Sequence, residues 1–501
     1  MTAGGGTDRA STRQYRRELW AALAIAFALV VARSWVFTAY EDAAFDSDQA
    51  VTGLMAKHVS EGRAFPLFMY GQPYLLSVEA WLAVPVFWLL GPTVAALRTT
   101  LVLINLAIAA LVIVGLHQQA GLRPMLALTA ALFFCLAPPF LSLQLLEAGG
   151  GNILPLLYVL LLWFLRRHPA WFGLVLGVAF LTREFTMVAV PVVVLLTMRS
   201  GGVRARDAWR AGAAAATAFV LVLGVVYGAQ RFSDPSGPGT RGEGAIGSAG
   251  SQFVNLGNRA TFTVADLPGR IRAFVVERMP ELLGGRNTPS PVGEWGREWV
   301  ALVLGLGAAA GLLRMAVIAL RARRRATGEQ RPRDSFAWYL IGVGIAAAAV
   351  YVIARPADAV IHRYFLLAVY IPMGFTALWL IHEPTRSLRA AIVAAVFAWA
   401  GAAAVEDWRL LETHASGSQR NLTREIADAL EARGVRVAAA NYWRAYKITF
   451  LTRERVRIAS EDYVRIDEYQ KLAEAEGDRL LHLRDRPCPG GEPVGTMYLC
   501  R

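Results

Sequence analysis

The sequence predicts an all-α polytopic membrane protein, with about eleven transmembrane helices plus juxtamembrane helices and a small extracytoplasmic α/β domain at its C-terminal end. Three observations carry this. The 501 residues are 55% hydrophobic and 18% charged, with a mean hydropathy of +0.40. Apolar runs approaching the roughly 20 residues that a helix needs to cross a bilayer recur along most of the chain. After Glu406 the composition turns to that of a soluble domain. The net charge of +13 comes from 51 Lys and Arg against 38 Asp and Glu. The basic residues sit mainly in short loops, where they set orientation rather than bind nucleic acid. No zinc-type Cys/His spacing and no phosphate-cradling glycine motif occurs.

Residues 1–17 are polar and carry Arg9, Arg13, Arg16 and Arg17, which holds this end in the cytoplasm. Leu19–Tyr40 is the first span, read as an uncleaved anchor, and Arg33 within it snorkels or faces protein. A first outer loop, 41–93, follows. Its Phe45-Asp46-Ser47-Asp48-Gln49-Ala50 stretch places two carboxylates at the membrane boundary, where a charge is costly unless it faces a wet cavity. Asp48 also suits the N-cap of a helix starting at Gln49, and the two roles are compatible. Val51–Glu61 reads as a short amphipathic helix, and Leu75–Leu90, with Glu79, as an apolar one.

The remaining spans are Val94–Leu116, Pro124–Leu143, Asn152–Leu165, Pro169–Leu181, Phe185–Met198, Ala208–Ala229, Trp299–Leu320, Phe336–Ile353, Tyr364–Ile381 and Ala390–Val405. Parity decides whether Leu75–Leu90 crosses as well. If it does not, the loops at Arg166-Arg167, Arg199–Arg210, Arg321–Arg333 and Arg386–Arg389 share the side of the basic N-terminus. If it does, all of them flip outside, against the positive-inside rule. Leu75–Leu90 therefore lies along the outer surface, and the Asp46/Asp48 loop is extracytoplasmic.

Between Arg167 and Arg199 the chain goes up and back in about thirty residues. Each leg of about fifteen spans roughly 22 Å, less than the approximately 30 Å hydrocarbon core. The tip, Thr182-Arg183-Glu184, is then recessed against protein or a water-filled chamber. Glu147 stands before Ala148-Gly149-Gly150-Gly151, glycines that either admit close backbone approach or end helices. Asp358, His362, Arg363 and Tyr364 mark the outer end of a later span. There an arginine serves either phosphate or the interface. The long outer loop 230–298 holds a Gly/Pro/Ser-rich stretch, Asp234–Ser251, and an amphipathic helix, Asp266–Leu283, capped by Asp266.

Residues 1–405 thus form the membrane part and 406–501 an outer α/β domain. Its elements are a helix Leu422–Ala432, a strand Val435–Ala440, a helix Tyr442–Phe450, and strands Val456–Ala459 and Leu480–Leu483. In an oxidising compartment Cys488 and Cys500 can pair across the turn-forming Pro489-Gly490-Gly491, whereas Cys135 lies in a span.

Asp48-Gln49-Ala50 with its short helix, then Gly71-Gln72-Pro73-Tyr74 and an apolar surface helix, resembles the first outer loop of GT-C glycosyltransferases. The family 39-like members are the nearest likeness, relatives of protein O-mannosyltransferases and aminoarabinose transferases. Phe180-Leu181-Thr182-Arg183 resembles their hairpin tip and Arg363-Tyr364-Phe365-Leu366 a recurrent Arg-Tyr element. The region Tyr442-Trp443-Arg444-Ala445-Tyr446 resembles the C-terminal domains of bacterial members.

The resemblance implies an integral membrane glycosyltransferase that moves a sugar from a polyprenyl-phosphate donor to an acceptor hydroxyl, with inversion, on the extracytoplasmic side. Asp48 would be the general base, with Asp46 and Glu147 as further acidic candidates. Arg183, Arg363, Tyr364 and His362 would bind the donor phosphate. Gln49, Tyr70, Tyr74 and Glu79 would line the acceptor loop. The family often has Glu where Gln49 stands, which weakens a metal-binding reading. No cofactor is fixed, and a divalent metal is left open. The implied partners are the lipid-linked donor, a glycan, lipid or protein acceptor, and membrane lipids, with no nucleic acid. The implied location is the inner or plasma membrane. The rival readings are a transporter or flippase of lipid-linked intermediates and a non-catalytic scaffold.

Overall fold

The computed structural model describes residues 5–149, 151–200, 205–232, 266–284, 311, 314, 334–354, 362–417 and 420–501. Among them six helices are long and apolar enough to cross a membrane. These are Gln14–Ala39, Val94–Ala120, Arg206–Gln230, Ser335–Ile353, His362–His382 and Arg386–Ala415. The expected span Trp299–Leu320 lies outside the described residues apart from Gly311 and Arg314, as do Asp358, the Asp234–Ser251 stretch and the arginines of 321–333.

One expected span is not straight. Pro124–Leu143 is two helices, Pro124–Cys135 and Pro139–Leu146, bent by 82° at the break. Pro138 and Pro139 cause it. Proline supplies no amide to the preceding turn and drives the residue before it out of helical geometry. The bend carries the chain sideways to Glu147, the residue that ends the second helix. The first outer loop differs too. Leu75 and Leu76 end a strand, Gln72–Leu76, which pairs antiparallel with Phe68–Met69. The helix proper is Val78–Leu90, burying Glu79, Ala80, Ala83 and Phe87 while exposing Trp88, Leu89 and Leu90.

The short hairpin is present. Pro169–Thr182 has 14 residues and Ala189–Ser200 has 12, joined by a short 3-10 turn at Glu184–Val188. At 1.5 Å per residue the legs are about 21 and 18 Å, each shorter than the approximately 30 Å core. Gly173 and Gly177 let the first leg press against Ala205–Phe232, since a Cβ on Gly173 would lie 2.1 Å from Ala215 O. Arg33 faces protein: it donates to Asn105 Oδ1 at 2.6 Å and lies over the Phe134 ring. Asp266 stands before Leu267–Ala273 but makes no capping hydrogen bond, contrary to expectation, because its backbone is left-handed at φ 50°.

Arg386–Ala415 runs through 30 residues, about 45 Å, and so extends past any bilayer core. Beyond it, a five-stranded sheet has the order Arg457–Ser460, Val437–Ala440, Leu481–Arg484, Met497–Cys500, Glu492–Val494. The first three strands are parallel and the last two antiparallel. Leu422–Ala432, Tyr442–Leu451 and Asp467–Glu476 are its helices; the last of these and the two final strands were not expected. Ile426, Leu430, Ala438, Ile448, Ile458, Leu483 and Met497 form its own core. Tyr442, Tyr446, Phe450, Leu451, Ile466 and Tyr469 belong instead to the main core of the molecule. Cys488 and Cys500 are joined in a disulfide, with Cα atoms 6.1 Å apart.

Candidate active site

The first outer loop enters its helix, Ser47–Ser60, through Asp46, whose side chain accepts from Gln49 N at 3.0 Å. Asp46 is therefore the N-cap. Asp48 lies inside the first turn, so it does not perform the capping role its sequence position also suits. Gln49 is buried, donating from Nε2 to Ala44 O at 2.8 Å and accepting from Arg98 Nη2 at 3.4 Å. Ala44 has φ 55°, so this amide fastens a left-handed turn. A glutamate could not make that donation, which explains the amide at this position.

Asp48, half-buried, accepts on Oδ1 a hydrogen bond from the Tyr442 hydroxyl. Nothing else hydrogen-bonds to that carboxylate among the described residues. Glu147 is half-buried after the bent pair, curled over the turn so that a Cβ on Gly149 would lie 3.0 Å from its Oε1. Burial pushes the Glu147 carboxyl up to about 7; Asp46 and Asp48 add to the rise, while Arg363 and Arg183 oppose it. Asp46 is also raised, first by burial, against the Gln49 amide bond that lowers it. The three carboxylates thus share one electrostatic field. Among the described residues no three His, Cys, Asp or Glu side chains gather closely enough to hold a metal ion.

Arg183, at the hairpin tip, is buried and donates from Nη2 to Gly149 O at 3.4 Å. Gly151, with φ +96°, lets that turn approach, since a Cβ there would lie 3.3 Å from Arg183 Cγ. Arg183 is within electrostatic reach of Arg363, Glu184, Tyr364 and Glu79. Arg363 and Tyr364 are half-buried on the 3-10 segment His362–Val369, and the Tyr364 ring meets Phe185 edge-on at 5.6 Å. The Nε atoms of both Arg183 and Arg363 are buried without a hydrogen-bond partner among the described residues. The two guanidinium groups lie within electrostatic reach of one another, each with an unused donor, an arrangement that could accept an anion.

Of the other expected site residues, Glu79 is within electrostatic reach of Arg183 and His362 adjoins Arg363. His362 faces Glu281 Oε2 at 3.5 Å and Phe140. Tyr70 is buried, its hydroxyl 2.9 Å from His58 Nδ1. Tyr74 sits in the strand Gln72–Leu76, and Glu79 is buried in the first turn of Val78–Leu90.

Several contributors escaped the sequence reading. Arg98 is buried in Val94–Ala120, donates to Phe37 O, and lies within electrostatic reach of Asp46 and Glu147. Its signal was an arginine inside an apolar helix. Lys447, which feels Asp46, and Tyr442 lie almost four hundred residues along the chain from the loop they meet, a pairing with no local signal.

Comparison with family models and with curated proteins gives no match. Among solved structures the chain is similar to the Archaeoglobus fulgidus oligosaccharyltransferase in its apo form, at 13% identity and TM-score 0.48, covering 93% of this chain and 69% of that one. It is also similar to ArnT from Cupriavidus metallidurans bound to undecaprenyl phosphate, at 14% identity and TM-score 0.39, covering 94% and 96%. The apo state of the same ArnT gives 14%, 0.37, 91% and 93%. At this identity and these scores the likeness speaks neither to substrate nor to reaction.

Proposed function

We propose that the protein is an integral membrane glycosyltransferase that takes a sugar from a polyprenyl-phosphate donor. The acceptor is a hydroxyl on the extracytoplasmic side, where the first outer loop and residues 406–501 lie. The observation that carries this reading is the pair of buried, unpartnered guanidinium Nε atoms of Arg183 and Arg363, beside the field of Asp46, Asp48 and Glu147. Phosphate-binding arginines next to free carboxylate oxygens are what displacement of a glycosyl phosphate requires.

In the reaction, the acceptor hydroxyl hydrogen-bonds to Asp48. Its oxygen forms a bond to the anomeric carbon as its proton passes to the Asp48 carboxylate. The bond from the anomeric carbon to the phosphate oxygen breaks, and its electron pair leaves with polyprenyl phosphate. Arg183 and Arg363 hold the charge that develops on that leaving group. Attack opposite the leaving group inverts the anomeric carbon. Glu147 lies within electrostatic reach of both arginines and both aspartates, and its raised carboxyl holds a proton more readily than an ordinary one.

The test uses purified protein in lipid nanodiscs with radiolabelled undecaprenyl-phosphate mannose, glucose, galactose and arabinose, with and without membrane extract as acceptor. Release of polyprenyl phosphate with label moved to a new product supports the reading. A flippase would move the lipid with its sugar bond intact, so recovery of unchanged donor from every incubation defeats it. Within an active preparation, Arg363→Lys raises the donor KM despite keeping the charge, because lysine lacks the planar two-pronged donor.

A further inference from the structure

The helix Tyr442–Leu451 of the C-terminal domain lies along the helix Ser47–Ser60 of the first outer loop and is fastened to it at four places. At its start, the Tyr442 hydroxyl donates to Asp48 Oδ1. Beside that, Ser47 Oγ donates to Tyr442 O at 2.7 Å and accepts from Lys447 N at 3.3 Å. Midway, Gly53 lets the Phe450 ring sit flush on the loop helix, since a Cβ there would lie 2.6 Å from Phe450 Cε2. Just past the helix's far end, in the turn that follows it, Glu454 is buried among Lys57, His58 and Arg63, with Arg63 Nη1 at 2.6 Å and His58 Nε2 at 3.1 Å. Tyr469 adds a donor to the same carboxylate at 2.9 Å.

The Tyr442 ring is itself held. Tyr446, Trp443 and Tyr463 pack around it with centroids 5.4, 5.1 and 6.1 Å away, and the Arg465 guanidinium lies over it. Asn441, at the carboxyl end of strand Val437–Ala440, caps its helix by accepting from Arg444 N at 3.2 Å. A tyrosine so fixed, donating to one oxygen of a half-buried carboxylate, sets the plane of that carboxylate. The other oxygen has no hydrogen-bonding partner among the described residues and stays open to an incoming hydroxyl.

We propose that Tyr442 is a positioning residue for Asp48, so that the C-terminal domain supplies part of the reacting site. This rests on the reading of Asp48 as the base. An aligned base and an unaligned one bind donor equally well; they differ in the step where the proton moves.

The experiment compares wild type, Tyr442→Phe and Asp48→Asn in nanodiscs, using the same four labelled donors and, as acceptor, both water and membrane extract. Tyr442→Phe keeps the ring and its packing and removes only the donor. The expected result is a kcat about 10- to 100-fold lower, an unchanged donor KM, and a melting temperature matching wild type. A merely structural role would lower the melting temperature or raise KM instead, and either result overturns the proposal. Full turnover in Tyr442→Phe with loss in Asp48→Asn overturns it too, while leaving Asp48 as base. Full turnover in Asp48→Asn removes the base itself and the proposal with it, and a wild type that consumes no donor does the same.

Discussion

Asp46 and Asp48 stand two residues apart and do different work. Asp46 caps the helix, so Asp46→Ala should cost about 1 kcal/mol of stability, while Asp46→Asn, another good cap, keeps it. Asp48 bears no capping duty. Asp48→Asn should therefore leave the melting temperature near wild type and lower turnover by about 10²- to 10⁴-fold, the usual worth of a general base. Equal turnover in Asp48→Asn and wild type, at matched protein level, would discard the assignment. Glu147 gives a pH signature. Burial pushes its native carboxyl up to about 7 from an ordinary 4.5, so native protein keeps a proton that unfolded chain releases. The resulting stabilisation is complete below pH 4.5 and is lost as pH rises through about 7, amounting to at most about 3 kcal/mol. Thermal melts across pH 4–8 should show that fall in wild type and a flatter line in Glu147→Gln. At this scale the sequence drew attention to Asp48, Arg183 and Arg363 because their charge sits beside apolar runs. It gave no reason for the amide at Gln49, which the left-handed Ala44 carbonyl requires.

Helices and strands were legible wherever local chemistry dominated. Leu422–Ala432 was read with its observed bounds, and loop charge gave the short hairpin around Arg183. The sequence reading passed over Pro138-Pro139 because hydropathy is continuous across them, yet the pair turns the chain by 82°. The long-range docking of Tyr442–Leu451 on Ser47–Ser60 has no periodic signature, since it depends on one glycine and one buried carboxylate. Hydrogen bonds from His58, Arg63 and Lys57 hold Glu454 well below the usual carboxylate range, although its burial works the other way. Removing one partner of such a buried set is costly, so Glu454→Gln should lower stability by about 3 kcal/mol or more. A thermal melt unchanged from wild type would show that the latch carries no load. At the other edge of the domain, Cys488→Ser with Cys500→Ser opens a 12-residue loop and should cost roughly 2–3 kcal/mol. Equal denaturation midpoints for the double variant and the oxidised wild type would contradict this.

For the molecule as a whole, charge asymmetry between loops predicted an orientation that a reporter can check. A fusion after Met198 should report cytoplasm and one after Ser416 the outside. The same signal from both would undo the parity argument and move Asp48 to the wrong compartment. The multi-pass plan was readable because lipid demands long apolar helices, whereas the way the outer domain folds back over the first loop answers to no such demand. That return has a consequence for timing. Tyr442 follows Asp48 by 394 positions. At about 5–20 residues per second, a ribosome takes about 20–80 s to travel between them. Through that interval the Asp48 carboxylate has no tyrosine beside it. A polypeptide abandoned before its final hundred residues holds Arg183, Arg363, Asp46 and Asp48, yet lacks the hydroxyl that donates to Asp48.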